Sequence, residues 1–504
     1  MIQGTMSAAG KSMIVAGLCR IFSDDGYRVA PFKSQNMALN SYVTKEGLEI
    51  GRAQAMQAEC ARIEPIAAMN PILLKPTSDT GSQVIINGRE VGNMSASEYF
   101  ENKAEYKKDI LRAFKELSEI SDIIVIEGAG SPVEMNLKND DIVNMGLAEM
   151  TDAPVILVGD IDRGGVFAQL LGTLDLLDEN ERARVQGLIV NKFRGDKSLF
   201  EDGIRILEER GDTEVLGVVP YLDIQLDDED SLSERFNERP ADAFDIAVIK
   251  LSHISNFTDL DAFGQIEGLS VRYVSRVSEL KDPDMIVIPG TKNTIADLRE
   301  IKNNGLFEAV RKKADEGLCI FGLCGGYQML GRKIEDPDCL EAGGSEEGLC
   351  LLPVDTLIKK EKTRTNVTCK ITGATGILKG IESTAIEGYE IHMGQTLPCG
   401  DSAGSIPGQD GCGEALTEFT PGQTGYCLGN VYGTYIHGFF DKKDVMSAIV
   451  EKVAQSRGKT ISTEGVTDYK DHKEKQYDLL AERLRESLNM KRIYEIMGLK
   501  NDIG

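Results

Sequence analysis

The chain has no tryptophan, only four histidines, no Cys-x-x-Cys pair among its ten cysteines, and far fewer basic than acidic residues. Each shortage removes a class of function. Without paired cysteines neither a zinc ribbon nor a disulfide framework is indicated, so the thiols read as buried and inert, with one exception below. No stretch approaches the ~20 apolar residues that cross a bilayer, so no membrane partner is expected. A formal net charge of −25 argues against adhesion to nucleic acid or anionic lipid, because both carry the same sign. Met1-Ile2-Gln3 leaves no room for a signal peptide before the first glycine motif, which gives a cytoplasmic expectation. The same three residues are few for a strand, so the first one is expected to be very short or trimmed by the start.

What is present begins at Gly4-Thr5-Met6-Ser7-Ala8-Ala9-Gly10-Lys11-Ser12. Glycines bracket a loop whose N–H groups can cradle phosphates. Lys11 can reach the β and γ phosphates, and the Ser12 hydroxyl can ligate Mg²⁺ at a helix start. Five residues separate the glycines instead of the usual four. That lengthened loop is similar to the one in dethiobiotin synthetase and its carboxylate-activating relatives. Gly4, Thr5, Gly10, Lys11 and Ser12 are therefore candidate ATP ligands.

Apolar strands then alternate with helical segments. Arg28–Lys33 reads as a strand followed by a polar run to Ser41 at the ligand-facing edge, and Ile50–Glu59 reads as a surface helix. A helix is expected over 97–119. Asp122–Ile126 delivers Glu127 to a strand tip beside the phosphate loop, where a Mg²⁺ ligand is needed; a capping glutamate is the plainer alternative. Asp160 ends another strand, and Asn191-Lys192 ends a third at a position suited to reading the purine. This predicts an α/β fold: a P-loop, doubly wound, mainly parallel sheet over 1–222. An anionic substrate would require Lys33, Arg52, Lys75 or Arg89 to offset the overall negative field locally.

An acidic linker is expected over 223–244, a second α/β domain over 245–445, and a helical tail over 446–504 that packs on that second domain. In the second domain, strand Leu318–Phe321 runs into Gly322-Leu323-Cys324-Gly325-Gly326. A G-x-C-x-G turn between strand and helix is the thiol form of a nucleophile elbow. Such a thiolate needs a base. His437 ends an apolar strand and ranks first, His392 second; His253 follows a strand, and His472 in a charged helix reads as solvated.

A nucleotide site and a nucleophilic cysteine in separate domains imply a glutamine-dependent ligase. The thiol would release ammonia from L-glutamine, and ATP would turn a carboxylate into an acyl phosphate. The blocks Gly4–Ser12, Pro31–Met37, Gly51–Ala55, Ser255–Asp259, Pro289–Thr294, Gly322–Gly331, Gly388–Gly394 and Tyr435–Gly438 together resemble the cobyric acid synthases of corrinoid biosynthesis. The resemblance implies a class I glutamine amidotransferase-like second domain. It implies amidation of the b, d, e and g carboxylates of adenosylcobyrinic acid a,c-diamide, each at the expense of ATP and glutamine. It also implies Cys324 as nucleophile, His437 as base, Gly290 at the oxyanion hole, Glu127 as Mg²⁺ ligand, and a corrinoid partner; a homo-oligomer stays open. One departure stands out: glutaminases of this class usually carry His-x-Glu, whereas Gly438-Phe439 follows His437. The orienting acid is thus absent or comes from elsewhere. Two rivals remain. One is the sister synthase acting on the a and c carboxylates. The other is a partition-type P-loop ATPase with a vestigial glutaminase domain, against which the intact Cys324 elbow counts.

Overall fold

The computed structural model describes residues 1–76, 81–224, 226, 243–399, 414–420 and 423–499. The chain forms two compact units. The first comprises Met1–Ala38, Leu48–Glu229 and Lys473–Gly504, and the second Leu39–Gly47 and Asp230–His472. Most of the acidic run between Asp223 and Phe244 lies outside the described residues. Among the described residues no helix is long and apolar enough to cross a membrane.

In the first unit, strands Ile2–Gly4, Val155–Asp160, Val185–Phe193 and Val215–Pro220 form a parallel four-stranded sheet in that order. A second parallel pair, Val29–Phe32 with Ile123–Ile126, joins it through a bridge between Ile2 and Glu127. Strand order therefore reverses around Ile2–Gly4, the switch point where open α/β sheets hold ligands at their carboxyl ends. The first strand is short, as expected, yet wholly buried. Helix Lys11–Asp24 leaves the phosphate loop and buries Ile14, Val15, Leu18, Ile21 and Phe22.

Three expectations need correction in this unit. Segments Ile72–Pro76, Gly81–Ile86 and Arg89–Ser95 do not extend the parallel sheet; with Gln35–Met37 they build a separate, largely antiparallel one. The expected surface helix, Arg52–Cys60, is almost entirely buried. Its polar composition misleads because its glutamines are bonded inside: Gln57 reaches Glu127 and Gln54 accepts from Asn36. Lys75, expected to offset the negative field for an anionic substrate, is instead neutralised by Glu49, both side chains being wholly buried.

The tail divides. Helix Lys443–Ser456 packs in the core of the second unit, but from Lys473 onward the chain belongs to the first unit. Tyr477, Leu480, Leu484, Ile493 and Tyr494 share one core with helix Lys11–Asp24. Gly17 permits that approach, since a Cβ there would stand 2.2 Å from a Leu484 methyl. Buried Arg20 adds charge-assisted bonds to Asp478 (2.7 and 2.9 Å) and Glu474 (2.7 Å).

The second unit carries a seven-stranded sheet. Strands Leu269–Val274, Phe244–Ile249, Met285–Ile288, Cys319–Leu323 and Val431–Thr434 are parallel neighbours, and Gln423–Leu428 and Glu414–Thr420 continue it antiparallel. Beside it, Val354–Lys370 and Ala385–Pro398 form a long antiparallel ribbon. Leu39–Gly47, which the expected boundaries place in the first domain, clusters with this unit. Its Val43 is fully buried with Tyr389 and Ile391 of the ribbon.

Candidate functional site

The phosphate loop sits at the carboxyl end of Ile2–Gly4. Ala8 (φ 59°) and Gly10 (φ 92°) take left-handed conformations there, as anion-cradling loops do. Thr5 N–H donates to Val158 O (3.0 Å) and its hydroxyl to Gln169 (3.1 Å), fixing the loop entrance. Lys11 is buried and folds across the loop, its Nζ donating to Met6 O (3.1 Å) and Gly130 O (3.3 Å).

Glu127 arrives from its strand tip as the sequence predicts, wholly buried. Its Oε1 accepts from the Ser12 hydroxyl (2.8 Å) and Lys33 Nζ (2.9 Å), and its Oε2 from Gln57 (2.5 Å). Lys33 and Gln57 were not foreseen as partners of this carboxylate. Asn191 and Lys192 brace the loop from behind: Asn191 donates to Ala9 O (2.9 Å), while Lys192 donates to Ala8 O (2.8 Å) and pairs with Asp160 (3.0 Å). Gly10 accepts this brace because a Cβ there would stand 2.1 Å from the Asn191 amide nitrogen. The Asn191 amide nitrogen is thus bonded to the loop backbone.

In the second unit, Cys324 ends strand Cys319–Leu323 and precedes helix Gly325–Leu330. Its φ of 51° and ψ of −108° are costly for a residue with a Cβ, and strain of this kind marks a nucleophile elbow. Glycine is required around it: a Cβ on Gly326 would stand 1.9 Å from Ile288 O. The sulfur lies 3.9 Å from Ile391 O, and the residue is 7% exposed. The described cysteines are all free thiols, and burial pushes the thiols of Cys19, Cys60 and Cys319 up, in keeping with inert roles.

His437 lies near enough to Cys324 for the thiol to help push its imidazole up. Its backbone is clamped in an antiparallel bridge to Tyr389 (N···O 2.9 and 3.1 Å), and the Tyr389 ring stacks on the imidazole at 5.2 Å. The orienting acid is Asp259. Its Oδ2 meets His437 Nδ1 at 2.7 Å, and its Oδ1 accepts from Gly438 N–H at 3.0 Å. Burial disfavours the imidazolium, but the Asp259 carboxylate with its hydrogen bond, and the nearby Cys324 thiol, outweigh it and push His437 up to about 10.

The Pro-Gly-Thr loop faces the same elbow. Gly290 O accepts from Ser255 N–H (2.9 Å), so the Thr291 N–H on the same planar trans peptide points the other way. Thr291 N stands 3.1 Å from where a Cβ on Gly325 would be. The Thr291 amide, on the peptide that follows Gly290, therefore lies against the elbow.

The remaining histidines separate cleanly. His392 lies beside the elbow, but its Nδ1 is bonded to Gly394 O (2.8 Å) and its ring stacks on Tyr435 at 3.7 Å. His253 pairs with Asp297 (2.6 Å). His472 is half-buried against Tyr469 and not simply solvated.

Two family models cover these units: the CobQ/CobB/MinD/ParA nucleotide binding domain over residues 1–231, and the CobB/CobQ-like glutamine amidotransferase domain over 245–445. A cobyric acid synthase of Ruminiclostridium cellulolyticum is 52% identical over 99% of this chain and 98% of its own length. Those of Lachnoclostridium phytofermentans and a Thermoanaerobacter species are each 50% identical, over 99% and 100% of this chain and 98% and 99% of theirs. Identity at this level over nearly the whole length of both chains places the chain in the cobyric acid synthase family.

Proposed function

We propose that the chain amidates the b, d, e and g carboxylates of adenosylcobyrinic acid a,c-diamide, with the second unit supplying ammonia and the first activating the acid. The buried line Cys324–His437–Asp259 at a strained elbow is the observation that carries this reading. Asp259 holds His437 with its Nδ1–H turned to the carboxylate, leaving Nε2 to exchange a proton with the thiol. The Cys324 thiolate attacks the side-chain amide carbon of glutamine, and the N–H groups of Thr291 and Gly325 stabilise the tetrahedral oxyanion. Collapse breaks the C–N bond, His437 gives the leaving nitrogen its proton, and ammonia departs from a thioester. Water, deprotonated by His437, then releases glutamate.

In the first unit the loop amides and Lys11 bind the nucleotide phosphates. A substrate carboxylate takes the γ-phosphoryl group, and ammonia displaces phosphate from the resulting acyl phosphate to leave an amide. Ser12 and Glu127 offer Mg²⁺ two hard oxygens 2.8 Å apart. That fits an ion that uses one or two protein ligands and completes its shell with phosphates and water. Among the described residues no group of three or more His, Cys, Asp or Glu forms a richer metal site. When bound, the ion would neutralise phosphate charge. Mass spectrometry of adenosylcobyrinic acid a,c-diamide incubated with enzyme, Mg-ATP and glutamine tests the proposal. Successive acid-to-amide exchanges at the b, d, e and g positions are expected; exchange only at the a and c acids of cobyrinic acid, or none, would overturn it.

A further inference from the structure

Two buried side chains beside the thiol have no part in the chemistry above and are left with unmet hydrogen-bonding capacity. Glu390 is 2% exposed and His392 5% exposed. Glu390 Oε2 and His392 Nε2 both lack a hydrogen-bond partner. They face one another at 3.6 Å, beyond hydrogen-bond reach. They alternate along the ribbon strand Ala385–Pro398 with Ile391, whose carbonyl oxygen lies 3.9 Å from the Cys324 sulfur.

The tautomer of His392 follows from its other nitrogen. Nδ1 lies 2.8 Å from Gly394 O, and a carbonyl can only accept, so Nδ1 carries the proton. In the neutral ring Nε2 is then a lone pair. Stacking on Tyr435 at 3.7 Å prevents the ring from turning away. A carboxylate oxygen and a nitrogen lone pair thus confront each other in a buried place, where unpaired polar atoms are costly. A positively charged group with at least two N–H bonds satisfies both and also neutralises the carboxylate.

We propose that Glu390 and His392 form an acceptor pair for a primary ammonium at the glutaminase site, either the α-ammonium of the incoming glutamine or the ammonia freed from it as ammonium. This rests on the glutaminase reading above. Glu390 supplies the countercharge and His392 the second acceptor, and their place next to Ile391 sets the ammonium beside the reacting sulfur.

The experiment compares the full-length enzyme with Glu390→Gln, which keeps shape and removes charge, and with His392→Gln. Glutamate release and amide formation are followed with L-glutamine, and release of ammonia with 4-carbamoylbutanoate, which has the same amide but no α-ammonium. If the pair holds the α-ammonium, kcat/KM for glutamine falls about 10- to 100-fold while that for 4-carbamoylbutanoate is unchanged. If it holds freed ammonium, glutamine hydrolysis is unchanged and fewer amides form per glutamate released. Equal losses on both amides, or no change in either ratio, would overturn the proposal. Should Glu390→Gln be insoluble, the His392→Gln comparison decides by the same ratios. Cys324→Ala, run alongside, keeps the two claims apart: glutamate release surviving in that variant sinks the glutaminase reading itself, whereas an unaltered ratio in Glu390→Gln sinks only the acceptor pair.

Discussion

Asp259→Asn is the substitution that most sharply probes the glutaminase. The carboxylate holds two donors at once, His437 Nδ1–H at 2.7 Å and Gly438 N–H at 3.0 Å, and both side chains of the pair are buried. Asparagine has one acceptor oxygen. If that oxygen keeps Gly438, the NH₂ group faces His437 and drives the imidazole to the tautomer whose Nε2–H confronts the thiol. If it keeps His437, a donor meets the Gly438 donor. Loss of a buried charge-assisted bond costs about 1.5–3 kcal/mol, or about 10- to 100-fold in rate. The wrong tautomer alone can cost about 10⁴-fold. The expected fall in glutamine hydrolysis is therefore about 10- to 10⁴-fold, read as glutamate released at saturating glutamine. Amidation fed with ammonium chloride should be untouched. A variant that hydrolyses glutamine as fast as the parent would refute the role given to Asp259.

Other outcomes follow from the same geometry. Lys11→Ala should abolish amidation with glutamine and with ammonia alike, whereas Cys324→Ala should lose only the glutamine route; product counting by mass spectrometry separates them. His437 is raised from 6.5 to about 10, so its pairing with Asp259 contributes stability that is fully present below pH 6.5 and lost as pH rises to about 10. Thermal midpoints of parent and Asp259→Asn should accordingly differ most near pH 6.5 and converge toward pH 10. Lys75→Met removes the countercharge that buried Glu49 meets and should destabilise by about 3–5 kcal/mol in denaturant titration, while Lys75→Met with Glu49→Leu should recover most of it. Gly326→Ala sets a methyl 1.9 Å from the Ile288 carbonyl oxygen, which no rotamer relieves. It should cost about 1–3 kcal/mol and displace the elbow, seen as a lower melting temperature together with lost glutaminase activity.

Features written in contiguous residues or at strand tips were legible in the sequence. The phosphate loop is one glycine-bracketed run, Glu127 ends an apolar strand, and the Cys324 elbow is fixed by glycines that the backbone demands. What escaped is set by distance along the chain. Asp259 lies 178 residues before His437, so no spacing rule around the histidine could find it, although Ser255–Asp259 had already been singled out as a block. Burial of polar residues was equally hidden. Helix Arg52–Cys60 looks like a surface helix until Gln57 is seen on Glu127. The tail shows amphipathic helices, but amphipathicity says that a face is buried and not what covers it, and the cover from Lys473 onward is the helix after the phosphate loop. Asn191 was legible by its position at a strand end, but its bond to the Ala9 carbonyl oxygen was not, because the two residues lie 182 positions apart.

The central claim is that nitrogen freed at Cys324 becomes the amide made with ATP. Glutamine carrying heavy nitrogen in its side-chain amide, supplied in buffer containing unlabelled ammonium, tests it directly by the isotope content of the corrinoid product. The account predicts heavy amides from the parent enzyme and only light ones from Cys324→Ala. Light amides from the parent, or heavy amides from the variant, would contradict it.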